Sequence, residues 1–278
     1  VFFKAIPLLH PIVSHFFHKP ILEESRRENL QEMGLADLGE YSIIKSKHTN
    51  RSAWPLSGGP VSERRELSMT KKERARLAVN ALKNEYPDAI CSLRAEEPLQ
   101  LLIATRLSAQ CTDARVNLVT PVLFEKYPTL EAFCEANVED VEEIIHSCGF
   151  YHGKARDIVG MSQKIRDTFG GVVPDTVEAL TTLPGVGRKT ANLIVGDVYG
   201  KPAVVADTHF IRMSNRLGFV DTKDPYKVEL AMRKLLPPEE SNDFCHRCVL
   251  HGRACCTARK AMCERCCMAE FCPQKGVT

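Results

Sequence analysis

The chain has 278 residues, twelve cysteines and a formal charge of only +2, enough length for one large or two medium domains with a proper core. So small a net charge excludes a global basic field, and any contact with a polyanion has to come from a local patch. No stretch of the sequence approaches the roughly eighteen continuous apolar residues of a membrane span. The apolar start VFFKAIPLLHPIVSHFFH is broken by Lys4, Pro7, Pro11 and histidines, and it lacks the basic segment and small-residue cleavage site of a secretory leader. The expected location is cytoplasmic, with no membrane contact.

Residues 1–68 carry scattered Pro, Gly and Ser (PLSGGPVSERRELS) and no cysteine. They read as an N-terminal extension, disordered or non-native, with room for a short helix around Ile21–Met33. Met69 opens a clean charged helix, MTKKERARLAVNALKNEY, and is the expected native start. From there the pattern is helical throughout, so the fold class is all-α. Pro98–Leu107 is apolar enough for a central buried helix. Thr112 and Thr129 stand where helix caps belong. Val138–Ser147 ends at Cys148-Gly149, and Lys154–Phe169 is closed by Gly170-Gly171.

Next comes LPGVGRKTAN, residues 183–192, the end of one helix, a Pro/Gly hairpin and the first turn of another. Val177, Leu180 and Leu183 supply the buried face before the hairpin; Ala191, Ile194, Val195 and Val198 supply it afterwards. At about 100° per residue, Lys189 lies roughly 200° from Ala191, pointing away from that packed face. Gly185, Val186 and Gly187 permit a tight reversal with amides turned outward, an arrangement that holds a phosphate. Arg188 and Lys189 occupy the positive end of a helix, where the dipole disfavours cations. An amine in that position is a candidate nucleophile. The alternative is an ordinary helix–hairpin–helix with a solvated lysine. Further on, Ala203-Val-Val-Ala-Asp207 ends a short apolar connection in a carboxylate. Asp207 suits a helix N-cap, and its second oxygen could face a cleft at the same time.

Eight of the cysteines fall between Cys245 and Cys272. Clustering at one end of a long chain argues for a metal site in a reducing compartment rather than a disulfide framework. Cys256, Cys263, Cys266 and Cys272 follow the spacing C-x6-C-x2-C-x5-C, which wraps one loop around one centre and suits an iron–sulfur cluster. Structural zinc is the alternative. Cys245, Cys248, Cys255 and Cys267 are left over. They read as small buried residues around that centre, although Cys245-x2-Cys248 could contribute a second ligand set. Between the first two thiols, Arg259 and Lys260 place cations on a metal-pinned loop, a rigid way to hold a DNA phosphate.

Taken together, LLIATRLSAQCTDARVN, LPGVGRKTAN, VVADTHFIRMSNRLGF and HGRACCTARKAMCERCCMAEFC resemble the endonuclease III family of DNA base-excision glycosylases. The resemblance runs from about Met69 to the C-terminus, and residues 1–68 have no counterpart in it. It implies a two-lobed helix–hairpin–helix glycosylase fold. A six-helix barrel lobe would span 91–201, and a second lobe made of 69–90 and 202–278 would carry a [4Fe–4S] cluster on Cys256, Cys263, Cys266 and Cys272. The active cleft would lie between the lobes. By the same resemblance, Lys189 is the catalytic lysine and Asp207 the catalytic aspartate. Gln110 fills the gap left by an extruded base, and Phe150 is an apolar wedge, a position that the family usually gives to leucine. The implied partner is damaged double-stranded DNA, met by a monomer that is nucleoid-associated when bound.

The chemistry follows from these roles. A base in a duplex shields its glycosidic carbon, so the nucleotide must be flipped out and the hole propped open. A neutral lysine amine then attacks the sugar carbon as the base leaves. The resulting imine acidifies the adjacent hydrogen, and β-elimination cuts the strand. The helix dipole and Arg188 favour the neutral amine, whereas Asp207 opposes it. Asp113 could assist, or serve as a helix-start residue. His209 suits packing or a phosphate contact better than base catalysis. Two rivals stand beside this reading. A monofunctional mismatch glycosylase of the same superfamily would lack the lysine at the hairpin. A non-enzymatic DNA-binding module with a zinc loop would leave the pairing of Lys189 with Asp207 unexplained.

Overall fold

A computed structural model of the chain describes residues 69–277. The extension at 1–68, with its expected short helix, lies outside the described residues. Among the described residues eleven α-helices follow one another: α1 Lys71–Glu85, α2 Pro98–Leu107, α3 Asp113–Lys126, α4 Leu130–Cys134, α5 Val138–Ile145, α6 Tyr151–Phe169, α7 Val177–Leu180, α8 Arg188–Asp197, α9 Thr208–Arg216, α10 Pro225–Leu235 and α11 Ser241–Ala254. Among the described residues the only β-type pairing is an isolated bridge, Cys256 to Ala261, so the all-α expectation holds. No described helix is long and apolar enough to cross a membrane.

Short-range chemistry sets the helix ends. A capping box opens α1: the Thr70 hydroxyl accepts from the Glu73 amide and the Glu73 carboxylate accepts from the Thr70 amide. Thr112 and Thr129 cap α3 and α4 as their positions predict. Two boundaries differ from expectation. Helix α5 stops at Ile145 and tightens into a 3-10 turn, His146–Cys148, before Gly149 at φ +67°. Helix α6 begins at Tyr151, three residues early, because Phe150 itself adopts the left-handed conformation and completes the reversal in one step.

Two hydrophobic cores form. The first draws on α2 to α8, from Leu93 to Ala203; the second joins α1 to residues beyond Val204. The chain passes from one to the other inside the extended run Ala203–Ala206, with Ala203 buried in the first and Val204, Val205 and Ala206 in the second. Leu193 of α8 packs against both. The two residues singled out for catalysis therefore flank the crossing: Lys189 sits in the first turn of α8 and Asp207 follows the extended run as the cap of α9.

Candidate active site and cysteine-lined cavity

The hairpin before α8 is shaped from beneath. Gly185 sits at φ +70°, and a Cβ there would lie 2.5 Å from both Arg106 Nε and Asp157 Oδ2. Those two atoms are an ion pair between α2 and α6, Arg106 Nε donating to Asp157 at 2.8 Å. Glycine is thus required by both conformation and space. Gly187 is different: it caps α8 with no side-chain hydrogen bond, and a Cβ there would meet nothing within 4 Å. The uncapped first turn of α8 therefore faces open space, leaving backbone donors available for an anion.

Arg188 does not hang free. Its Nε and Nη2 donate to the two carboxylate oxygens of Glu229 at 2.7 and 2.8 Å, and its guanidinium lies 4.7 Å over the Tyr226 ring. Glu229 is 3 % exposed and also accepts from Arg233 Nε at 3.0 Å, while Arg233 donates to Asn192 of α8. The cation expected to crowd the helix N-terminus is answered by a buried carboxylate from α10. This network ties α8 to the second core, and the sequence pattern gave no sign of it.

Lys189 is exposed and shares a cleft of about 800 Å³ with Asp207, Asp113, Ser108, His246 and Arg253. Asp207 caps α9 through Oδ1, which accepts from the Phe210 amide at 2.7 Å; the cap and the place on the cleft wall coexist. Asp113 opens α3 and is engaged, accepting from Ser92 Oγ at 2.6 Å and pairing with Arg253 at 3.2 Å. His209 packs beside Arg212 and Gly252, its Nδ1 3.1 Å from the Arg212 guanidinium. Burial pushes the imidazole below its usual range, with the Asp207 charge opposing and Arg212 adding to the effect. On the cleft's inner side, burial pushes the Cys91 thiol up to about 12, which leaves it protonated and a poor nucleophile.

Gln110 and Phe150 come together although forty residues separate them in sequence: they line one open cavity with Arg106 and Lys154. Both have positive φ, 53° and 49°, which non-glycine residues seldom adopt. Phe150 is also 71 % exposed, an unusual place to hold a ring of that size.

Cys256, Cys263, Cys266 and Cys272 all line a second cavity. Donors approach their sulfurs: Arg216 Nη1 lies 3.2 Å from Cys256 Sγ, and His251 Nε2 lies 3.3 Å from Cys266 Sγ. Burial pushes Cys272 up to about 11; a hydrogen bond with Cys267, then burial, pushes Cys266 up to about 12. Metal loading therefore has to displace protons from these thiols. A different donor set, His251, Cys255 and Cys266, lies within 4.8 Å of one another. Here the ring of His251 is already used on both sides, with Tyr86 Oη 3.2 Å from Nδ1, and Cys255 Sγ faces the Met262 carbonyl. The four-thiol set suits a metal better, with His251 as its hydrogen-bonding neighbour. Of the leftover cysteines, Cys245, Cys248 and Cys255 are buried as expected, whereas Cys267 is exposed. Arg259 and Lys260 are exposed on the loop between the first two thiols, and Thr257 Oγ braces that loop by bonding Lys260 on both N and O.

Comparison with known proteins agrees in sequence and in fold. Residues 103–238 match the family described as HhH-GPD superfamily base excision DNA repair protein. Endonuclease III of Synechocystis sp. is 47% identical over 205 residues, 73% of this chain and 94% of that protein. Endonuclease III of Escherichia coli K12 is 37% identical over 207 residues, 74% of this chain and 98% of the relative. Among solved structures, a non-covalent endonuclease III–DNA complex superposes with a TM-score of 0.70 at 41% identity, covering 74% of this chain and 97% of the other.

Proposed function

This chain belongs to the endonuclease III family of base excision DNA repair proteins, and we propose that it is a bifunctional DNA glycosylase and abasic-site lyase acting on oxidised pyrimidines in duplex DNA. The observation that carries this reading is the exposed amine of Lys189 sharing a cleft with Asp207, at the foot of an uncapped helix N-terminus.

In this reading the α8 amides and the hairpin around Gly187 grip a phosphate without reading sequence. Gln110 and Phe150 enter the duplex and hold the space vacated by the flipped nucleotide. Lys189 Nζ then attacks C1′ as the bond to the damaged base breaks, and its proton passes to a neighbouring base. Asp207, on the same cleft, would receive that proton or stabilise positive charge on the sugar. The C1′–O4′ bond of the resulting aminal then breaks, with a proton delivered to O4′, to give the imine. Loss of a 2′ proton from that imine expels the 3′ phosphate, cutting the strand.

Lobes of 91–201 and of 69–90 with 202–278 are supported by the two hydrophobic cores, which change over between Ala203 and Val204. Cys256, Cys263, Cys266 and Cys272 would hold a [4Fe–4S] cluster; the all-sulfur donor set and the N–H groups aimed at two of the sulfurs fit such a group. Bound there, the cluster supplies a covalent pin for the loop. Arg259 and Lys260 on that loop would then meet DNA phosphates.

Borohydride trapping on duplexes with an abasic site or an oxidised pyrimidine tests the central claim. Wild type should form a covalent adduct, and Lys189→Gln should reduce it by at least about 10³-fold, as removal of a nucleophile does. Failure of wild type to form an adduct on both duplexes rejects the lyase mechanism.

A further inference from the structure

We propose that Lys154 is a positioning residue that fixes the spacing between the two loops carrying Gln110 and Phe150. The inference rests on the gap-filling role assigned to that pair and adds the device that holds it.

Lys154 is 1 % exposed, and a lysine that deep is normally paired with a carboxylate. Among the described residues none is bonded to it. Its Nζ donates instead to the Leu107 carbonyl at 2.8 Å and the Cys148 carbonyl at 2.9 Å. Leu107 is the last residue of α2, three before Gln110; Cys148 is the last of the 3-10 turn, two before Phe150. Carbonyls at helix ends lack intrahelical partners and carry the negative end of the dipole, so a lysine amine is their natural donor. One side chain thereby ties together the exits of two helices that are remote in sequence.

What those exits carry explains the need. Gln110 and Phe150 both sit at positive φ, a strained conformation that persists only where the surroundings over-determine it. Neither is buried, so packing cannot supply that constraint. Lys154 lines the same cavity as both, between their loops, and is anchored in the first full turn of α6, which begins directly after Phe150. Burial holds its amine below the usual lysine range, with Cys111 and Cys148 opposing, and either protonation state retains the two N–H groups in use. A side chain of equal length without donors would leave two buried carbonyls unpaired. The two intercalating residues would then lose their common reference.

The test separates positioning from general stability. Lys154→Met and Lys154→Arg are compared with wild type on two substrates: a duplex carrying an oxidised pyrimidine, and a single strand carrying an abasic site, where no partner strand leaves a gap. Lys154→Met should slow single-turnover base excision in the duplex by about 10- to 100-fold, the scale of an ångström misplacement. Its single-strand lyase rate should fall far less, and Lys154→Arg should recover most of the duplex rate. An adenine analogue fluorescent when unstacked, placed opposite the lesion, should report weaker extrusion in Lys154→Met. Equal losses on both substrates, or an unchanged duplex rate, would overturn the proposal. If Lys154→Met does not fold, Lys154→Gln, which keeps one donor group, carries the same comparison with the same outcomes. Gln110→Ala and Phe150→Ala serve as separate controls: if they leave the duplex rate intact, the gap-filling assignment itself fails, whatever Lys154 does.

Discussion

The hairpin at Gly185–Lys189 and the loop from Cys256 to Cys272 each present cations beside a turn of exposed backbone, but they are held by opposite means. Beneath the hairpin lie the Arg106–Asp157 pair, buried Val186 and the bidentate clamp of Glu229 on Arg188. Every one of these contacts comes from the protein itself. The loop has a single 3-10 turn, Cys263–Arg265, one isolated bridge and a few backbone bonds, such as Met262 N to the Cys255 carbonyl. Its cysteines Cys256, Cys263, Cys266 and Cys272 line a common cavity. The lesson is that the hairpin is pre-organised by packing, whereas the loop, in the proposed reading, would take its order from what its cysteines bind.

Removing a thiolate should break that contrast most severely. Cys266→Ser should lose iron, read by metal analysis and visible absorbance, and weaken binding to undamaged duplex by tenfold or more at fixed salt. Melting of the first core should be nearly unchanged. A comparable loss of stability in both cores would mean that the hairpin also leans on the metal.

Smaller effects should follow at the hairpin. Gly185→Ala adds a Cβ at φ +70°, 2.5 Å from the ion pair, and should destabilise by about 2–3 kcal/mol. For a described region of this size that is a drop of several degrees in Tm, with iron content unaffected. Gly187→Ala, whose Cβ meets nothing within the protein, should change Tm little and weaken DNA binding. Equal stability losses at the two glycines would contradict the division between an inward and an outward face.

The smallest effect sharpens the electrostatics beside the cleft. Burial depresses His209, so the unfolded chain takes up a proton first as pH falls, and stability declines as pH drops through the unfolded-state value near 6.5. His209→Gln should flatten the fall in Tm between about pH 7 and pH 5 relative to wild type. An unchanged slope would mean that another group carries the acid sensitivity.

Much of the fold was legible because it is local. Thr70, Thr112 and Thr129 cap their helices through side-chain bonds to amides three residues on, and apolar spacing announces the buried faces of α2 and α8. The outward direction of Lys189 follows from the same periodicity. Less legible were residues whose partners lie elsewhere. Glu229 and His251 read as ordinary helix residues until the first is seen on Arg188 and the second against Cys266 Sγ. Positive φ at Gln110 and Phe150 carries no signal in residue type, since neither is a glycine.

Sequence alone thus determined the helices, most of their ends, the hairpin, and the four-thiol spacing, because each depends on neighbours within a few positions. Tertiary structure decided the rest. It matched Arg188 with Glu229, Arg106 with Asp157, Lys154 with the Leu107 carbonyl and Asp113 with Arg253, pairs 41, 51, 47 and 140 residues apart. The physical reason, for all but the exposed Asp113–Arg253 pair, is that a charge or donor taken out of water on folding must find its partner wherever the packed helices bring one within reach. Around the hairpin, that requirement shapes the inner face with remote residues and leaves Gly187 and Lys189 facing outward.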